Sequence, residues 1–199
     1  ELIRSPGPTG FESAYQNLTT GDVDGDGKAE VAATRHRTTP TPDKRITIWK
    51  PSNNWQVLHD RGDYDFKWLA LAIGDVDIDP AGKDELLLTR EGVLGTLDSY
   101  LVFRCCNGNS LIDVTGGRYF PYFFSITTGD VNASGDDEVF LLRNAANTSS
   151  VALIMINYGS DPVAPFETLP GQGQWRKIIA GDTDGDGRAE LVVMSASEY

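Results

Sequence analysis

The sequence predicts an all-β chain in which one small unit is repeated four times, and three observations carry that prediction. A Gly-Asp-x-Asp or Gly-Asp-x-Asn signature begins at Gly21, Gly74, Gly129 and Gly181, at spacings of 53, 55 and 52 residues. Short alternating apolar runs flank the acidic turn that follows each signature. No segment of ten or more residues carries a helical period.

The first strand of each unit is marked by an aromatic seven residues before the first loop aspartate (Tyr15, Trp68, Phe123, Trp175) and by Leu18, Leu71, Ile126 or Ile178 four before it. After the loop comes an acid followed by an apolar run: Glu30-Val31-Ala32-Ala33, Glu85-Leu86-Leu87-Leu88, Glu138-Val139-Phe140-Leu141 and Glu190-Leu191-Val192-Val193. These runs read as short, largely buried strands, and strand, loop and strand make a hairpin whose turn the loop organises. A third strand is predicted at Arg45–Lys50, Tyr100–Arg104 and Val151–Ile156, and a fourth at Trp55–His59, Ser110–Val114 and Pro165–Leu169. Four antiparallel strands per roughly 50 residues is the blade of a β-propeller. The repeats fall around residues 15–60, 68–114, 123–169 and 175–199 of one propeller region covering 1–199, with 1–5 as a closing or preceding-blade strand. Three blades are then complete and one is split, so the expectation is a partial propeller, a processed or excised piece, or a ring completed by a homo-oligomer or larger surface assembly.

The net charge of −12 argues against nucleic acid, whose phosphates need a basic face, and against an anionic membrane surface. No apolar run approaches the roughly 18 residues that suggest membrane insertion. Of the 29 acidic residues, 17 lie in the segments Asp22–Glu30, Asp75–Glu85, Asp130–Glu138 and Asp182–Glu190, which hold only three of the 17 basic residues. Negative charge gathered into four clusters on a nearly neutral remainder is the pattern of cation sites.

In the first loop, Asp22, Asp24, Asp26 and Glu30 stand at positions 1, 3, 5 and 9, and Lys28 at position 7 offers its backbone carbonyl. Such a loop converges oxygens on one hard cation; zinc would call for His or Cys. The fourth loop repeats its acids residue for residue with Asp182, Asp184, Asp186 and Glu190, and Arg188 takes the place of Lys28. The second keeps Asp75, Asp77, Asp79, Lys83 and Glu85 but inserts two residues and places Pro80 where glycine stood, predicting altered geometry. The third has Asp130, Asn132, Ser134, Asp136 and Glu138, two carboxylates fewer, and is predicted to be the weakest site. An EF-hand is excluded, because it needs flanking helices and a glutamate at position 12, where Ala33, Leu86, Leu141 and Val193 stand. Up to four Ca2+ ions are thus expected; at 100 times Kd each would stabilise the fold by roughly 2.7 kcal/mol, a structural role by default.

These strand–loop–strand residues resemble the FG-GAP and VCBS repeats of integrin α-subunit propellers and of bacterial surface proteins, and are closer to the bacterial type. The resemblance implies calcium held between the first two strands of each blade, and an extracellular or cell-surface protein used in adhesion or recognition. Three Asn-x-Ser/Thr sequons, at Asn17, Asn132 and Asn147, are compatible with that location.

For chemistry the sequence offers little. His36 and His59 are the only histidines and have no nucleophile at triad spacing. They read as surface loop and strand residues. Arg35, His36, Arg37, Lys67 and Arg118 are the tools available to a polysaccharide lyase-like enzyme, an alternative raised by family resemblance. Trp49, Trp55, Tyr119 and Tyr122 could stack on sugars or a protein ligand, or could fill space between blades. Cys105 and Cys106 are adjacent, so either a strained vicinal bridge or two packed thiols is open. The reading is a non-catalytic calcium-binding module for a protein or glycan ligand, with a structural subunit of a surface assembly as the second alternative.

Overall fold

The computed structural model describes residues 15–37, 43–62, 64, 67–76, 82–91, 100–107, 110–117, 123–143, 151–156, 164–169 and 174–196. The segment 1–5, Asp77, Asp79, Pro80, Arg118, Tyr119, Tyr122 and Asn147 lie outside the described residues, as do the side chains of Cys105 and Cys106.

The described residues form fourteen strands and one short 3-10 turn, in antiparallel all-β sheets. The first sheet runs β1 (Tyr15–Gly21), β2 (Glu30–Arg37), β3 (Asp43–Lys50), β4 (Gln56–Arg61), and the second β5 (Trp68–Gly74), β6 (Glu85–Arg90), β7 (Tyr100–Asn107), β8 (Ser110–Gly117). The third runs β9 (Phe123–Gly129), β10 (Glu138–Arg143), β11 (Val151–Ile156), β12 (Ala164–Leu169), and β13 (Gln174–Gly181) pairs with β14 (Glu190–Ala196). Each four-stranded sheet is a meander of consecutive antiparallel strands, and the last two strands form a hairpin.

The loops close the same register every time. Gly21 pairs with Glu30, Gly74 with Glu85, Gly129 with Glu138 and Gly181 with Glu190. A bulge follows the marker aromatic in all four hairpins, leaving Gln16, Leu69, Phe124 and Arg176 out of the pairing. The extra residue re-aims the strand start.

The sheets pack face to face through their first strands, β1 on β5, β5 on β9 and β9 on β13. Ala32, Ile46 and Ile48 of the first sheet pack with Trp68, Leu71, Leu86 and Leu88 of the second. Ala72 and Leu87 meet Ile126, Val139 and Leu141, and Phe140 and Leu142 meet Ile178. Middle sheets are therefore apolar on both faces, and all six residues of β6 are buried. The outer faces differ: Leu18 is 70% exposed while its counterparts Leu71, Ile126 and Ile178 are 7%, 3% and 0% exposed, and Ile179, Val192 and Met194 are exposed at the opposite end.

Close stacking explains the glycine that opens the first three signatures. A Cβ at Gly129 would stand 2.8 Å from the Cβ atoms of both Ala180 and Ala189, whereas at Gly181 it would meet nothing within 4 Å. Beside this contact the sheets are joined by backbone bonds from the residue preceding the glutamate of the second, third and fourth loops. Asp84 donates its N–H to the Asp22 carbonyl (3.1 Å), Asp137 to Asp75 (2.6 Å) and Ala189 to Asp130 (2.7 Å).

Two sequence expectations are corrected. His36 does not lie in a loop, because β2 continues through Arg35, His36 and Arg37 by pairing with Arg45, Lys44 and Asp43. His59 is not a surface residue; alternation along β4 turns it inward, and it is 3% exposed.

Candidate metal centre

Each described loop is wound around its first aspartate. Asp22 Oδ1 accepts the N–H of Gly25 (2.8 Å) and Asp26 (3.0 Å), and its Oδ2 that of Gly27 (2.7 Å). Asp182 accepts Gly185 (2.7 Å) and Gly187 (3.0 Å) in the same way, and Asp130 accepts Ser134 (3.0 Å) and Gly135 (2.8 Å). The tight turns need positive φ at positions 4 and 6, which Gly25, Gly27, Gly185, Gly187 and Gly135 supply; at position 4 of the third loop Ala133 takes φ 61° instead.

Winding brings carboxylates together. One oxygen from each of Asp22, Asp24 and Glu30 lies within 4.8 Å of the others, and the same holds for Asp182, Asp184 and Glu190. Oxygens that share a cation at about 2.3–2.6 Å are separated by no more than about 5 Å, so both trios fit one hard ion, and neither contains the His or Cys that zinc prefers. In the first loop the fit goes further. Glu30 is fully buried, and neither of its oxygens, nor Asp24 Oδ1, has a hydrogen-bond partner. Burial, then the charge of Asp24, raises the Glu30 carboxyl above its ordinary range. A buried carboxylate without a donor is costly, and a divalent cation is the partner that satisfies it along with its acidic neighbours.

In the other loops the glutamate is engaged. Glu190 Oε2 accepts the Thr183 hydroxyl (2.7 Å) and N–H (2.8 Å), which hold its pKa below the ordinary value. Glu85 accepts the Val76 N–H (3.2 Å) and Glu138 the Val131 N–H (3.0 Å). Asn132 also donates its side-chain amide to Glu138, spanning the third loop where the first and fourth carry an acid. Burial raises Glu138, while burial of Asp130 is outweighed by backbone N–H groups that hold it low.

Three features of the site were missed in the sequence. Lys50, at the end of β3, pairs with Asp24 and Asp26 across the first loop. These carboxylates raise the lysine pKa, and Lys50 lowers that of Asp26. Asp84 accepts the Asp22 N–H (2.6 Å), binding the second loop to the first. Asp137 lies between loops, where burial, opposed by Thr128 and assisted by the charges of Asp84 and Asp75, pushes it up to about 6. Asp84 and Asp137 could have been found by aligning the residue before each loop glutamate; Lys50 needed the register of β2 on β3.

Residues 130–193 match the FG-GAP-like repeat. The match begins at the first carboxylate of the third loop and ends in β14, so it takes in two of the acidic loops and the stacking contact between them. Comparison with curated proteins returns no match. Within the matched repeat Asp182, Asp184 and Glu190 converge, and the Asn132 amide and the Val131 N–H donate to Glu138.

The remaining candidates separate. Arg35 stands opposite Tyr15, as Arg90 does Trp68 and Arg143 does Phe123; the Arg35 and Arg143 guanidiniums lie 5.7 Å and 5.8 Å from the facing ring centres. That places Arg35 in the repeat frame, as a cation–π partner of the marker aromatic. Trp49 packs edge-on against Tyr15 at 5.6 Å, and Trp55, half-buried, precedes β4 with φ 61°. The Asn17 amide donates to Thr34 at 2.8 Å, so both described sequon asparagines have engaged side chains.

Proposed function

We propose that this chain is a calcium-stabilised module of β-propeller type that acts outside the cell and recognises a protein or glycan without performing chemistry on it. The observation that carries the metal reading is Glu30, buried and without a donor beside Asp22 and Asp24. Asp22, Asp24, Asp26, Glu30 and the Lys28 carbonyl would hold one ion, and Asp182, Asp184, Asp186, Glu190 and the Arg188 carbonyl another. Asp75, Asp77, Asp79, Glu85 and the Lys83 carbonyl would hold a third. The third loop, with Asp130, Asn132, Ser134, Glu138 and the Asp136 carbonyl, would bind most weakly. The propeller reading is supported by meander sheets stacked through their first strands and by the FG-GAP-like match. Among the described residues no helix is long and apolar enough to cross a membrane. Recognition is supported by Trp55, a bulky residue held at positive φ, a strain of about 1–3 kcal/mol that structures retain mainly where it serves a purpose.

The test is a calcium titration of the chelator-stripped chain by calorimetry, followed by a polysaccharide and glycoprotein panel with and without chelator. Calcium uptake with calcium-dependent retention on the panel is expected. Absence of uptake would overturn the metal reading, and release of unsaturated sugar products would replace recognition by a lyase activity.

A second reading, a structural unit of a surface assembly, is favoured by the exposed apolar residues Leu18 at one outer face and Ile179, Val192 and Met194 at the other. Light scattering that finds a monomer at every concentration would count against it.

A further inference from the structure

The first and fourth loops carry the same acids at the same positions, yet the first also holds a cation of the protein's own. Lys50 is the last residue of β3, and the pairing of Trp49 with Val31 brings it level with the loop that ends at Glu30. Its Nζ contacts Asp24 Oδ2 and lies 2.7 Å from Asp26 Oδ2, with the lysine side chain 14% exposed. Among the described residues no ion pair reaches Asp182, Asp184 or Asp186. By register the place of Lys50 is taken in the second sheet by Arg104, one residue beyond Phe103, which pairs with Leu86.

The ammonium and a calcium ion compete for the same oxygens. A cation drawing on Asp24 and Asp26 needs the lone pairs that Lys50 now occupies, and two cations at one cluster repel. Lys50 leaves Asp24 Oδ1 and both Glu30 oxygens unsatisfied, so it fills only part of the site. A flexible four-carbon stem lets the ammonium withdraw to solvent when an ion arrives.

We propose that Lys50 is a tethered cation that holds the first loop in shape without metal and must be displaced for calcium to bind, making the first loop a weaker calcium site than the fourth. This rests on the reading that the loops bind calcium, and it breaks a tie that their identical acids leave open.

The Gly27 and Gly187 amides, bonded to Asp22 and Asp182, report the two loops separately in a 1H–15N NMR titration of the full chain with Ca2+. In the native protein Gly187 is expected to shift at a calcium concentration at least about tenfold below Gly27. Lys50→Met should bring the Gly27 midpoint down towards that of Gly187 while leaving Gly187 where it was, and Lys50→Gln should do the same if the methionine variant folds poorly. In chelator, the Gly27 amide should exchange faster in either variant than in the native chain. Titration of both loops with a Gly27 midpoint unmoved by either substitution would overturn the role of Lys50 and leave the calcium reading intact. If neither loop titrates in any variant, the calcium reading fails and this proposal fails with it.

Discussion

Replacing Gly129 by alanine adds one methyl group where two sheets touch, and replacing Gly181 adds the same group at the same repeat position with no neighbour. The new Cβ at 129 would lie 2.8 Å from the Cβ atoms of Ala180 and Ala189, about 0.6 Å inside ordinary contact, and neither atom can rotate away. The third and fourth sheets must therefore part slightly, and overpacking of this kind costs about 1–3 kcal/mol. Alanine also restricts the unfolded chain, which returns about 0.4–1 kcal/mol. Gly129→Ala is thus expected to destabilise by about 1–2 kcal/mol, and Gly181→Ala to stabilise by about 0.4–1 kcal/mol. At about 2–4 °C per kcal/mol for a chain of this length, the two melting temperatures should differ by about 3–12 °C. Thermal unfolding followed by circular dichroism in excess calcium reads the difference. Equal losses in the two variants would mean that the loop, and not the stacking, requires glycine, and the account of the signature given above would be wrong.

The position of Asp137 gives a pH dependence whose sign follows from its raised pKa. A carboxyl at about 6 in the fold, against 3.8 ordinarily, binds its proton more tightly when folded, so stability falls as pH rises from about 4 to beyond 6. The shift corresponds to about 3 kcal/mol, which partial exposure of the carboxyl reduces to about 1–2 kcal/mol. In chelator, Asp137→Asn should therefore gain on the native chain across that interval and not below it, and a pH-independent gain would refute the assignment. Ala133 takes a left-handed conformation costing about 1–2 kcal/mol. Ala133→Gly should gain about 0.5–1 kcal/mol in urea unfolding after the added freedom of the unfolded chain is set against it; a loss would contradict the backbone geometry. Phe140 and Val192 occupy the same place in successive repeats, the first fully buried against Leu142, Leu153 and Ile178, the second 50% exposed. Phe140→Ala should cost about 3–5 kcal/mol, Val192→Ala no more than about 0.5 kcal/mol, and similar costs would show that Val192 is covered in solution.

Strand placement was legible because it depends on local signals. The third strands predicted at Arg45–Lys50 and Tyr100–Arg104 extend to Asp43–Lys50 and Tyr100–Asn107, and Val151–Ile156 is unchanged. Extension came where pairing carried polar residues into the ladder, as with His36 opposite Lys44, and hydropathy says nothing about such residues. Winding of the acidic loop around its first aspartate was also legible, since Asp and Gly at fixed offsets specify both the turn and its acceptors.

The sequence by itself determined the repeat, its strands, the acids of each loop and the match to the FG-GAP-like repeat, because all of these are carried by residue types at fixed offsets along the chain. Tertiary structure decided how loops with the same acids differ beyond the change from Val23 to Thr183. Glu30 is buried and without a donor while Glu190 is held by Thr183, and Lys50 reaches the first loop from the third strand. It also decided that Gly129 must lack a side chain while Gly181 need not, and that Asp137 sits among the charges of two loops. Burial of Glu30, the reach of Lys50, the crowding at Gly129 and the charges around Asp137 share one reason: each depends on what the neighbouring strand or sheet places against the residue, and that is set by register and stacking between segments about 20 to 60 residues apart.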